Sequence, residues 1–195
     1  MNKPIVVNLF GGPGSGKSTG SAYVFAMLKM HGINCELVTE FAKDKTWEHN
    51  MGALSNQAYV FGNQCYRMSR CADQVDVIIT DSPLVLSVVY NKNSNPENGF
   101  NKMAIEVFNS YNNINFFLDR VKPYNPIGRN QTEEESDNIG HDIEDLLVKN
   151  GIEYTTVAGY VDGYEKIAKN ILSILNVEVI PNVFTGGCPN AAYCV

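Results

Sequence analysis

Hydrophobic and polar positions follow two rhythms along this chain. Short apolar runs rich in β-branched residues recur, separated by longer segments with apolar residues at helical intervals. The first run, Ile5-Val6-Val7-Asn8-Leu9-Phe10, reads as a buried strand over about 4–10. From Ser18 to Met30, Tyr23, Ala26, Met27 and Met30 recur at helical spacing with neither Gly nor Pro after Gly20. This predicts a helix over about 17–31 that closes at His31-Gly32. The same reading predicts strands over about 34–39, 75–80, 114–118 and 153–158, and helices over about 54–73, 83–91, 100–112, 133–150 and 161–175. The segment after Thr39 reads as polar and irregular, Asn91 to Gly99 as a mobile loop, and Val177 to Val195 as an irregular tail with at most a short edge strand. No repeat or linker interrupts the pattern. Strands separated by helices at this spacing imply a three-layer α/β fold with a five-stranded parallel sheet and right-handed crossovers, as one domain over residues 1–195.

Chemistry enters at the first strand–helix junction. Gly11-Gly12-Pro13-Gly14-Ser15-Gly16-Lys17-Ser18 fits G-x-x-x-x-G-K-[ST], and Thr19 follows. The strand before it and the helix after it are the context this motif needs to hold phosphate. Its glycines permit positive φ and let backbone N–H groups face phosphate oxygens, while the helix N-terminus adds free donors. The motif predicts a P-loop NTPase fold that binds ATP, with Lys17 on the outer phosphates and Ser18 on Mg²⁺.

Ligands of parallel sheets lie at the carboxyl ends of strands, which directs attention to three further segments. Strand two runs into Thr39-Glu40-Phe41-Ala42-Lys43-Asp44, where Glu40 is placed to accept a proton from an acceptor hydroxyl and Asp44 is a second candidate. Strand three ends Val77-Ile78-Ile79-Thr80-Asp81-Ser82-Pro83, placing Asp81 as catalytic carboxylate or metal ligand, with Ser82 capping the next helix. On the long helix between strands two and three, Gln57, Gln64 and Arg67 share a stripe, making Gln64 and Arg67 candidate substrate contacts. Trp47 is read either as a platform for a base or as core. Residues 119–131 hold Arg120, Lys122 and Arg129 beside Pro123 and Pro126, the composition of a lid carrying positive charge to transferring phosphates. Thr132-x-x-Glu135 is a capping box, so the acidic run Glu133–Glu135 serves the helix dipole. His31 and His141 read as surface residues.

Composition trims the alternatives. The chain has 195 residues, 44% hydrophobic and 18% charged, ordinary for a globular domain. No apolar stretch reaches membrane-spanning length and no leader pattern is visible, so no membrane partner is expected. Five cysteines without metal-ligand spacing suggest reduced thiols and a cytoplasmic location, with Cys188–Cys194 the one pair read as able to bridge. A formal net charge of −6 and four arginines disfavour tracking of a nucleic-acid backbone.

With these motifs assembled, the chain resembles the P-loop kinases that include the ribosylnicotinamide-kinase domain of bacterial NAD-regulator proteins, and among them small ATP-binding members often encoded by bacteriophages. The resemblance spans roughly residues 4–160. It rests on G-G-P-G-S-G-K-S-T, T-E-F-A-K-D with W-E-H, N-Q-A-Y-V-F-G-N-Q, V-D-V-I-I-T-D-S-P and R-V-K-P-Y-N-P-I-G-R-N-Q-T-E-E-E-S. It implies ATP-dependent phosphorylation of a nucleoside- or nucleotide-like acceptor, with Glu40 and Asp81 near acceptor and metal, and Arg120 and Arg129 over the phosphates. The third strand ends in D-S-P, without the D-R pair of deoxynucleoside and thymidylate kinases, and the resemblance does not extend to the nucleotidyltransferase domain of the NAD regulators. Acceptor identity therefore stays open. A hydroxymethylated base in phage DNA is a second acceptor, a nucleotide-dependent switch or accessory ATPase is a third reading, and assembly into a homo-oligomer is compatible with all three.

Overall fold

The computed structural model describes residues 3–91 and 99–180. Most of the loop read at 91–99, and the tail beyond Ile180 with Cys188 and Cys194, lie outside the described residues.

Five strands form one parallel sheet in the order β2-β3-β1-β4-β5, namely Cys35–Val38, Val77–Thr80, Ile5–Phe10, Asn112–Asp119 and Thr155–Ala158. Strand β1 is central because its residues suit burial on both faces. Val6 and Phe10 enter the hydrophobic cluster on one face, and Val7 and Leu9 enter that on the other. Asn8, between Val6 and Phe10, is buried and donates from Nδ2 to Asn113 Oδ1 at 2.8 Å and Asn115 Oδ1 at 3.0 Å on neighbouring β4, which satisfies the donor half of the amide, while its buried Oδ1 has no hydrogen-bond partner among the described residues. Helices α1 (Lys17–Met30) and α8 (Val161–Ile174) cover one face through Val24, Leu28, Ile167 and Ile171. The other face packs against α4 (Gln57–Ala72), α5 (Leu86–Tyr90), α6 (Gly99–Asn109) and α7 (Glu133–Lys149).

Helix α7 begins at the capping box, with Glu135 N donating to Thr132 Oγ1 and Thr132 N to Glu135 Oε2. Three sequence expectations change. The segment after Thr39 holds two short helices, α2 (Phe41–Trp47) and α3 (Met51–Ser55), and the long helix read from about 54 starts at Gln57. Two asparagines set these starts: the Asn50 side chain accepts from Ala53 N at 3.0 Å, and that of Asn56 from Tyr59 N at 3.1 Å. Ser82 caps nothing; its N–H donates to Thr80 Oγ1, and α5 starts four residues later. His31 is buried, not on the surface. It closes α1 with Nδ1 2.7 Å from Met27 O, while Nε2 accepts from Ile180 N at 2.9 Å.

Candidate active site

The loop between β1 and α1 is shaped by what surrounds it. Gly11, Gly14 and Gly16 have φ of 132°, 85° and 101°, a region costly for other residues. Gly16 also leaves no room for a side chain: an added Cβ would meet Tyr164 Oη and lie 2.8 Å from Gly159 O. Tyr164, fully buried on α8, donates within reach of Gly16 O at 3.1 Å and Gly159 O at 2.9 Å, while Gly20 makes space for its ring. From the other side, Ser136 Oγ on α7 donates to Pro13 O, and Gly12 lies against the same turn of α7. The loop is thus held from both faces of the sheet. Sequence reading missed Tyr164 and Ser136; glycine inside a helix, as at Gly20, was the available signal of a close neighbour.

Strands β2 and β3 run in register with Val38 opposite Thr80, so Glu40 and Asp81 leave adjacent strands at the phosphate-loop edge. Glu40 N donates to Asp81 Oδ1 at 3.0 Å. Lys17 Nζ donates to Gly11 O at 2.6 Å and Gly12 O at 2.9 Å. Burial pushes the Lys17 ammonium below its ordinary range, against the pull of the Glu40 and Asp81 carboxylates. Burial likewise raises both carboxyls, and Lys17 opposes that rise. One cation between two desolvated acids is a balance that added phosphate charge and metal would reset.

A cavity of about 340 Å³ opens from this cluster. Pro13, Gly14, Gly16, Lys17, Ser18 and Thr19 form one end, with Glu40, Lys43 and Asp81 at its floor. The opposite end is lined by Trp47, Met51, Leu54, Gln57, Val60, Leu86, Ser87 and Tyr90, and carries no charged residue among those described. Trp47 is 58% exposed, which excludes the core alternative. Residues Ile127–Gln131 roof the cavity. There Gly128, with φ 73°, meets the Trp47 ring so closely that an added Cβ would lie 2.8 Å from it. Tyr124 packs on Gly14 and donates to Gln131 O at 2.5 Å, and the Arg129 guanidinium lies 5.7 Å from its ring centroid.

The sequence candidates therefore separate. Lys17, Ser18, Glu40, Asp81 and Arg129 share the cavity. Arg120 does not line it: Nη2 pairs with Asp137 at 2.5 Å and Glu133 at 3.3 Å, because the guanidinium is drawn to the acidic start of α7. Asp44 and Arg67 pair with each other outside the lining, and Arg67 also donates to Thr39 O. Gln64 backs the cavity wall, but its amide is occupied by backbone, donating to Thr39 O at 3.3 Å and accepting from Phe41 N at 2.9 Å. Of the expected stripe, Gln57 and Gln64 line the cavity, each with its amide nitrogen on backbone (Gln57 Nε2 donates to Leu54 O at 2.8 Å), and Arg67 does not line it. Tyr90, Met51 and Leu54 went unnoticed in the sequence, where they are indistinguishable from ordinary helix residues.

A family model described as an AAA domain matches residues 6–163. The chain belongs to this AAA domain family. No curated protein matches its sequence. Its fold is similar to solved P-loop kinases. A structure of NadR protein in complex with NR superposes with a TM-score of 0.67 at 16% identity, covering 92% of this chain and 54% of NadR. NadR in complex with NAD and AMP-PNP gives a TM-score of 0.64 at 15% identity, covering 91% and 51%. Thymidylate kinase from Ehrlichia chaffeensis gives 0.55 at 15% identity, covering 90% of this chain and all of that one. The present chain thus spans about half the length of the NadR structures it matches. Among the described residues of this AAA domain, no helix is long and apolar enough to cross a membrane.

Proposed function

We propose that this chain transfers the γ-phosphoryl group of ATP to a hydroxyl of a nucleoside-like small molecule. The observation that carries this reading is the two-ended cavity, with a lysine and two carboxylates at the phosphate loop and an uncharged wall beyond them. ATP phosphates would take the loop N–H groups and Lys17, with Arg129 closing from the roof. The acceptor's planar part would lie against Trp47, placing its hydroxyl toward Glu40. The hydroxyl oxygen attacks the γ-phosphorus in line, the bond to the β–γ bridging oxygen breaks, ADP leaves, and the acceptor's proton passes to Glu40. Two desolvated acids would repel an acceptor phosphate, which favours an alcohol. Ser18 and Asp81 offer the hard oxygen donors that suit Mg²⁺, and a bound Mg²⁺ would neutralise phosphate charge there. Most of the rate gain comes from positioning and preorganised charge.

The test incubates the protein with ATP and Mg²⁺ against nucleosides, nucleoside monophosphates and hydroxymethyluracil-containing DNA, with products read by mass spectrometry. Gain of one phosphoryl group on a nucleoside supports the proposal. Gain on a monophosphate or on DNA overturns the acceptor class, and ADP release with every candidate unmodified overturns the kinase reading in favour of a switch or accessory ATPase.

A further inference from the structure

We propose that Gln64 is a positioning residue, whose one buried side-chain amide grips the backbone on both sides of Glu40 and so aims that carboxylate into the cavity. The proposal rests on the reading of Glu40 as the group facing the acceptor hydroxyl.

The peptide unit before Glu40 is held at both ends: Gln64 Nε2 donates to Thr39 O at 3.3 Å, and Glu40 N donates to Asp81 Oδ1 at 3.0 Å. The peptide unit after it is held by Gln64 Oε1, which accepts from Phe41 N at 2.9 Å. A residue's two soft backbone dihedrals lie between its flanking peptide planes. Fixing both planes holds Glu40 at φ −61° and ψ 121°, and with them the direction of its Cα–Cβ bond. Gln64 is only 3% exposed, where an amide missing either partner is costly. Its orientation follows from its partners, since an N–H must meet the oxygen and a carbonyl the nitrogen.

The grip is separable from the packing of this corner. Arg67, one turn further along α4, also donates to Thr39 O and pairs with Asp44, tying β2 and α2 to the same helix without Gln64. Helix α4 also presents Gln57 and Val60 to the acceptor end of the cavity, seven and four positions before Gln64 and on the same face. The helix that the acceptor touches is therefore the one that aims Glu40.

The test compares Gln64→Leu, which removes both hydrogen bonds, and Gln64→Glu, which keeps only the acceptor, alone and combined with Glu40→Gln. Turnover is read as ADP release from ATP and Mg²⁺ with water as the probe acceptor. In the ligand-free protein, hydrogen exchange of the Phe41 amide, which donates to Gln64 Oε1, is followed by NMR. Gln64→Leu is expected to lower kcat by about tenfold to a hundredfold with the KM for ATP unchanged, and Gln64→Glu by less. Added to Glu40→Gln, Gln64→Leu should cost nothing further, as expected of two residues acting as one unit. The Phe41 amide should exchange faster in Gln64→Leu, which leaves it without its acceptor, and keep its protection in Gln64→Glu. Equal losses in both backgrounds, or unchanged Phe41 exchange in Gln64→Leu, would overturn the proposal. If Glu40→Gln keeps full activity, the assigned role of Glu40 fails instead, and Phe41 exchange alone then decides whether Gln64 holds this backbone. Should Gln64→Leu fail to fold, Gln64→Glu carries the turnover comparison in both backgrounds.

Discussion

The two ends of the cavity are built by different means. The phosphate end is mostly backbone: glycines in strained φ regions, a helix N-terminus and one lysine, clamped by Tyr164 and Ser136. The end proposed to take the acceptor is side chains from α2, α3, α4 and α5, roofed by a loop that touches Trp47 through Gly128. Backbone donors recognise what all nucleoside triphosphates share, so the first end tolerates little variation. A wall of side chains can be changed one residue at a time without disturbing the loop, and selectivity can therefore reside there. Glu40 and Asp81 sit where the two ends meet, and a desolvated carboxylate is a stability cost accepted at a site that needs it.

Substitutions at each end should separate these roles, the phosphate end giving the largest effect. Lys17→Ala is expected to lower turnover by roughly a thousandfold while circular dichroism stays native; retained activity would break the comparison. Glu40→Gln should lower kcat by about a hundredfold and leave the KM for ATP alone. It should also change the pH dependence of stability. The Glu40 carboxyl titrates above its unfolded value when folded, so its contribution is full below the ordinary glutamate value of 4.5 and is lost as pH rises through the raised one. Melting temperatures of Glu40→Gln should accordingly decline less than wild type over that window, and parallel curves would refute the linkage.

Arg129→Ala should reduce kcat by about tenfold or more, whereas Arg120→Ala should leave kcat within about twofold and cost no more than about 1 kcal/mol in a denaturant titration, since its partners are solvent-exposed. The reverse order would return Arg120 to the phosphates. Gly128→Ala should sharpen the contrast from the acceptor side. A methyl against the Trp47 ring at φ 73° shifts the roof and should raise the acceptor KM about tenfold, an overpacking cost of roughly 1–3 kcal/mol. ADP release with water should change less than the acceptor KM, and the fluorescence of Trp47, the single tryptophan, should report the shift.

Legibility follows the same division. The strands and the phosphate loop were accessible in advance because they depend on local patterns: apolar runs, a glycine-rich turn and an adjoining helix. The position of Glu40 and Asp81 beside the loop was readable because strand ends of a parallel sheet face one edge. Arg120, Asp44 and Arg67 lie outside the cavity lining and Gln64 lines it with its amide on backbone, all for one reason. A polar side chain near a cleft has competing partners, and the acidic first turn of α7, the Arg67–Asp44 pair and the peptide groups flanking Glu40 lie up to tens of residues away in sequence.

The amino-acid sequence by itself determined the three-layer plan, the phosphate loop and the two carboxylates beside it, since each follows from short-range patterning and covalent order. Only the tertiary structure decided which polar groups face the cavity and which are consumed in holding it. That choice depends on distances between segments remote in the chain, where a hydrogen bond to backbone at 2.9 Å turns an apparent ligand contact into a strut.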